Sequence, residues 1–213
     1  MHIRKAIRII LCTILLVSAP AAAVYAFPLG TVSASVSADT LNAVSAEYNL
    51  VPEKLRQIFE ANQYTISFYH GTSMFADAAG SGYTVAGAYH KGGIYLTDIP
   101  GLGTQAIVHE MGHFLDDYSA EDQEYVSAAP GGPGNVIIVY RGTMELCASD
   151  QPAFAAICQA EAAGSTVTDY EKSDIHEYFA GSFSKYVHNP AELQAAAPAT
   201  FLYIRSCMEA LGA

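Results

Sequence analysis

Basic side chains are scarce in this 213-residue chain: 10 lysines and arginines stand against 21 aspartates and glutamates. Arg4, Lys5 and Arg8 lie in the first 26 residues, which hold no acid, so the remainder sets 7 basic groups against the same 21 acidic ones. A surface of that sign repels phosphate backbones and anionic lipid headgroups, which argues against nucleic acid partners and against stable membrane association once a leader is removed. Cysteine is also sparse, and none of the 4 has the short paired spacing of a zinc knuckle. A cysteine-built metal module is therefore not expected. No segment repeats, which removes solenoid and propeller architectures from consideration.

Residues 1–26, MHIRKAIRIILCTILLVSAPAAAVYA, have a basic start, an apolar run from Ile9 to Val17 and then Pro20 among small residues ending at Ala23 or Ala26. That order is a secretory signal rather than an anchor, and it implies a secreted, extracellular protein. Residues 27–40, FPLGTVSASVSADT, are small and polar and are expected to form a flexible leader, with one domain over 41–213. Three cysteines remain beyond the signal, Cys147, Cys158 and Cys207. Outside the cytoplasm this suggests one disulfide and one thiol, the short separation of Cys147 and Cys158 favouring that pair.

Pro52 and the helical spacing of Leu55, Ile58 and Phe59 predict a helix over 52–61, followed by a strand in YTISFYH from Tyr64. Two further strands, Tyr83 to Tyr89 and Gly93 to Thr97, are joined by the turn HKGG into a hairpin. The strand GGIYLT is either internal or a cleft rim able to pair with an extended peptide. A helix capped by Thr104 comes next. Between 118 and 168 only the turn PGGPGN, a strand from Val136 to Tyr140 and a helical run from Phe154 to Ala163 are legible. The end reads as a helix through DIHEYFAGSFSKYV, stopped at Asn189 and Pro190, and a closing helix from Leu193 to Leu211 broken near Pro198.

The chemistry is concentrated in AIVHEMGHFLDDY, residues 106–118. Positions four apart on a helix lie one turn apart and about 40° around, so His109 and His113 converge on one point. Glu110 beside them can act on a water there as general base, which is the logic of the HExxH zinc site. Ile107, Met111, Phe114 and Leu115 form the apolar stripe that buries the neighbouring face. Catalytic zinc needs a third protein ligand, and the longer pattern with a later glycine and histidine is absent, Asp116 and Ser119 occupying those places. Glu177 is the leading candidate, because it lies beside Ala180, Gly181 and Ser184, where another helix can approach closely. His176 is an alternative ligand or a substrate contact, Glu171 another acid in reach, and Asp116 or Asp117 could orient a ligand imidazole. His70, His90 and His188 are read as surface residues.

VHEMGHFLD, followed by a tyrosine, a glutamate seven residues later and then YFA, resembles the catalytic domain of anthrax lethal factor and the secreted Pro-Pro endopeptidases, zinc proteases of gluzincin type. The resemblance implies an α+β, zincin-like single domain: a small twisted sheet, an active-site helix carrying HExxH, and a mainly helical C-terminal part. It implies zinc held by His109, His113 and Glu177, Glu110 as base and Tyr170 as the group that supports the oxyanion. It also implies a monomeric endopeptidase acting on extended protein or peptide substrates, with proline-directed cleavage in the family's repertoire. The chain departs from the compact members in having a longer segment from Tyr118 to Asp169 and no tryptophan with which to build an aromatic substrate wall. An extracellular binding protein that keeps the fold without hydrolysing peptides is the alternative.

Overall fold

The computed structural model describes residues 25, 27–71, 86–90, 92–131 and 136–212, with backbone alone over 121–145. The expected signal lies outside them apart from Tyr25. No helix among the described residues is long and apolar enough to cross a membrane.

The chain opens with strand β1 (Leu29–Val32), helices α1 (Ala38–Tyr48) and α2 (Glu53–Ala61), and strand β2 (Thr65–Tyr69). The hairpin of β3 (Gly87–His90) and β4 (Gly93–Thr97) follows, and leads into the long helix α3 (Leu102–Tyr118). The four strands form one sheet in the order β1-β2-β4-β3, in which β1, β2 and β4 run parallel and β3 is antiparallel to β4. A separate antiparallel ribbon joins β5 (Glu121–Gly131) to β6 (Val136–Leu146). Helices α4 (Pro152–Glu161), α5 (Ile175–His188), α6 (Pro190–Ala196) and α7 (Pro198–Ala210) complete the chain. The α+β expectation, a small sheet followed by a mainly helical end, holds.

The core explains the element order. In α1, capped by Ser37 accepting from the Thr40 amide at 3.0 Å, Leu41, Val44 and Tyr48 face inward at helical spacing. Leu55 and Phe59 of α2 and Ile66 and Phe68 of β2 bury against them, and Phe114 of α3 meets Phe59 edge-on at 5.1 Å. At the other end Phe154, Tyr178, Phe179 and Tyr203 join α4, α5 and α7.

Three expectations need correction, and one left open is decided. Residues 27–40 are not a flexible leader, since β1 is held by backbone pairing, with Ile66 N donating to Pro28 O at 2.8 Å and Ser33 N to Phe68 O at 3.0 Å. Such bonds do not need large side chains, and Phe27 supplies the one buried ring. Of the two places left open for GGIYLT the internal one holds: it is β4, flanked on both sides, and β3 is the edge. Helix α3 begins at Leu102, with Gly101 at φ 86° rather than Thr104 in the cap position, because glycine tolerates that left-handed turn. No disulfide joins Cys147, Cys158 and Cys207 to one another. The turn near 132–135 and the strand start at 83–85 lie outside the described residues.

Candidate active site

Two helices carry the site. Along α3 the imidazoles of His109 and His113 lie with ring centroids 4.9 Å apart, as their four-residue spacing requires. Across from them, α5 starts with Asp174, whose carboxylate accepts from the amides of His176 at 2.8 Å and Glu177 at 3.4 Å. That cap fixes the first turn of α5 and so the origin of the Glu177 side chain. The helices meet closely because Gly112 and Ala180 are small: a Cβ on Gly112 would stand 2.8 Å from Ala180 Cα. The close approach expected beside Ala180 is present.

The distance from His109 Nε2 to Glu177 Oε2 is 3.0 Å, and from His113 Nε2 to the same oxygen 3.7 Å. One donor atom from each of the three residues lies within 4.8 Å of the others. A tetrahedral zinc with bonds of about 2.0–2.1 Å spaces its ligands roughly 3.3 Å apart, so two imidazoles and a carboxylate in this arrangement suit that ion in type and spacing. Glu171 stands behind, with Oε1 3.4 Å from His109 Nδ1, which turns the Nε2 of that ring toward Glu177. Burial opposes charge on His109, but Glu171 and then Glu177 outweigh it and raise its pKa to about 10. Burial likewise opposes the charge of Glu177, yet its bonds to His109 and His113 hold its pKa well below the carboxylate range.

Glu110 is 5% exposed, wedged between α3 and the edge strand, where a Cβ on Gly87 would lie 3.0 Å from Glu110 Oε1. Burial raises its pKa, with His109 and His113 pulling the other way. The Tyr170 hydroxyl donates to Glu177 Oε1 at 3.0 Å, and burial followed by the Glu177 charge keeps that phenol protonated. All five expected residues line one cleft of about 790 Å³, together with Gly87, Ala88 and Tyr89 of β3.

Two expected roles fall elsewhere. Asp116 does not orient a ligand imidazole: Ser149 donates to it through N at 2.6 Å and through Oγ at 2.7 Å, and His176 Nδ1 lies 3.2 Å from it. Asp117 instead accepts from the Tyr89 hydroxyl at 2.7 Å, tying α3 to β3. His176 is accordingly directed to Asp116 and, through Nε2 at 3.4 Å, to Asp150 Oδ1, as the rotation between adjacent helical positions allows. His90, read as a surface residue, is exposed and also lines the cleft. The orienting acid is Glu171, named in the sequence only as a fallback ligand. Its signal was present as Thr168 and Glu171 in TDYE: Glu171 Oε2 accepts from Thr168 N at 2.6 Å and Thr168 Oγ1 at 2.8 Å, a capping-box pattern that holds the carboxylate in place.

No protein-family model and no curated protein matches the chain. Among solved structures it is similar to the Pro-Pro endopeptidase PPEP-2 from Paenibacillus alvei, with a TM-score of 0.54 and 15% identity over 83% of this chain and 95% of that one. That likeness is one of fold.

Proposed function

We propose that the chain is a secreted, zinc-dependent endopeptidase of the zincin type. One observation carries the reading: the histidine nitrogens of α3 and the Glu177 carboxylate converge in a cleft where Glu110 is buried beside them and β3 offers a sheet edge. The fold likeness to PPEP-2 supports it.

His109, His113 and Glu177 would hold zinc, which supplies Lewis acidity toward the scissile carbonyl and makes water a stronger acid. An extended peptide runs along β3, whose outer edge carries no strand partner among the described residues, and backbone hydrogen bonds there set its register. Glu110 takes the proton from the attacking water and returns it to the leaving amine. Its seclusion raises the basicity of the carboxylate at the point where the proton must move. Tyr170 donates its hydroxyl proton in a hydrogen bond to the oxygen on which charge develops. Secretion rests on residues 1–26.

The test is hydrolysis of a peptide library that includes Pro-Pro sequences, with and without chelator, together with metal analysis of Glu110→Ala and Glu177→Ala. Cleavage that chelator abolishes, with metal retained in Glu110→Ala and lost in Glu177→Ala, is the expected result. A protein that binds peptides and metal but cleaves nothing would instead be a binding module on the same fold.

A further inference from the structure

Three donors of different kinds converge a short way along the same cleft. Asp116 lies on α3 three residues beyond His113, His176 lies on α5 one residue before Glu177, and Cys147 follows the exit of β6. One ligand atom from each lies within 4.8 Å of the others. All three line the cleft.

We propose that Asp116, Cys147 and His176 form a second metal site, separate from the His109 cluster, that takes one thiophilic divalent ion of the Zn2+ class. Carboxylate, thiolate and imidazole together match that class, whereas magnesium or calcium would call for oxygen alone. A tetrahedral zinc spaces such donors roughly 3.3–3.7 Å apart, so closure needs shifts of about 1 Å, within reach of side-chain torsions. The positions are otherwise fixed. Asp116 is 3% exposed and held by both Ser149 donors, the kind of outer support that orients a ligating carboxylate. Ala148 N donates to Asp116 O at 3.1 Å, which ties the segment carrying Cys147 to the end of α3.

A simple hydrogen-bonded brace between α3 and α5 is already complete with Asp116, Ser149 and His176, the Ser149 Oγ lying 2.7 Å from His176 Nδ1. The Cys147 thiol at the third corner brings a soft donor within 4.8 Å of the other two, which is the feature a metal site requires. No lysine or arginine lines the cleft among the described residues, so its field favours a cation. On binding, Cys147 forms its bond to the ion as thiolate and releases its proton to solvent.

Cobalt titration of the purified chain tests this, because a thiolate ligand produces a sulfur-to-cobalt charge-transfer band that a site of histidine and carboxylate lacks. Two equivalents should bind, with the band present in the unaltered protein, lost in Cys147→Ser and retained in Glu177→Ala. A band that survives Cys147→Ser, or no band at all, overturns the proposal. A second measurement needs no variant: alkylation of each cysteine mapped by mass spectrometry with and without Zn2+. Zinc should slow labelling of Cys147 at least tenfold and leave Cys158 unchanged, and equal labelling of Cys147 in both conditions also overturns it. Neither readout involves hydrolysis, so this site can fail while the peptidase reading stands, and the reverse.

Discussion

His109, His113 and Glu177 draw every donor from two packed helices, whereas Asp116, Cys147 and His176 need a third element, the chain leaving β6. The difference extends to what surrounds each cluster. Beside the first lies Glu110, a buried carboxylate whose pKa burial raises, facing the edge strand. Beside the second, Asp116 already accepts from Ser149 at both oxygens, and the further acid Asp150 has Oδ1 3.4 Å from His176 Nε2. The first cluster has a buried proton acceptor to spare, whereas the extra acid beside the second, Asp150, is exposed. On the proposed reading the two sets of donors are therefore suited to different work, the first to chemistry and the second to holding an ion.

The largest effect should come from removing that spare acceptor. Glu110→Gln keeps the shape of the side chain but not its basicity, and should lower the hydrolysis rate on the order of 10³-fold while leaving the metal content unchanged. Steady-state kinetics alongside elemental analysis measures both. Activity within tenfold of the unaltered protein would erase the distinction between the clusters, since Glu110 would then do no proton transfer.

Tyr170→Phe follows. Loss of one hydroxyl donor to the developing oxyanion should lower kcat about a hundredfold with KM little changed. The same hydroxyl donates to Glu177 Oε1, so metal affinity should be measured on the same variant. A drop in affinity with normal kcat in the loaded protein would assign Tyr170 to positioning Glu177 instead.

The unequal legibility of the two clusters has a physical cause. His109 and His113 were visible because helical periodicity alone brings residues four apart together, and Glu177 because the small residues beside it marked a close helix contact, met by Gly112 against Ala180. Cys147 reaches its place only after the chain has run out and back through β5 and β6. No local spacing records that path. Strand β6 showed itself in VIIVY, but its partner β5, EDQEYVSAAPG, is acidic and small and carries no alternation that marks a strand. Strand β1 was missed for a related reason, being held mainly by backbone bonds to β2. What was legible depended on side-chain periodicity, and what was not depended on backbone pairing across long sequence separations.

Both clusters share the α3–α5 contact, so a change there should affect them together. In Gly112→Ala the new Cβ would lie 2.8 Å from Ala180 Cα and 2.9 Å from Ala180 O. Backbone atoms cannot rotate aside, so the helices must part, at a cost of about 1–3 kcal/mol. Alanine's better helix propensity offsets up to about 1 kcal/mol of that. Denaturant unfolding should show a net loss of about 1–2 kcal/mol, with metal affinity reduced at both clusters. Loss at one cluster alone would mean that they do not depend on a common helix spacing.

The smallest effect should separate the clusters again. Glu171 lies 3.4 Å from His109 Nδ1 and contributes nothing to Asp116, Cys147 or His176 through that contact. Replacing it by glutamine leaves an oxygen that can still accept from the ring but removes the charge that strengthens the imidazole as a ligand. Metal affinity at the His109 cluster should fall about tenfold in Glu171→Gln, read by competition with a chelator of known affinity, while the cobalt–thiolate band should titrate as before. Glu171→Ala removes the acceptor too and should cost more, up to about a hundredfold. If both variants weakened the two sites equally, Glu171 would act through the fold, its carboxylate packed against Gly181 of α5, and not through the orientation of one histidine.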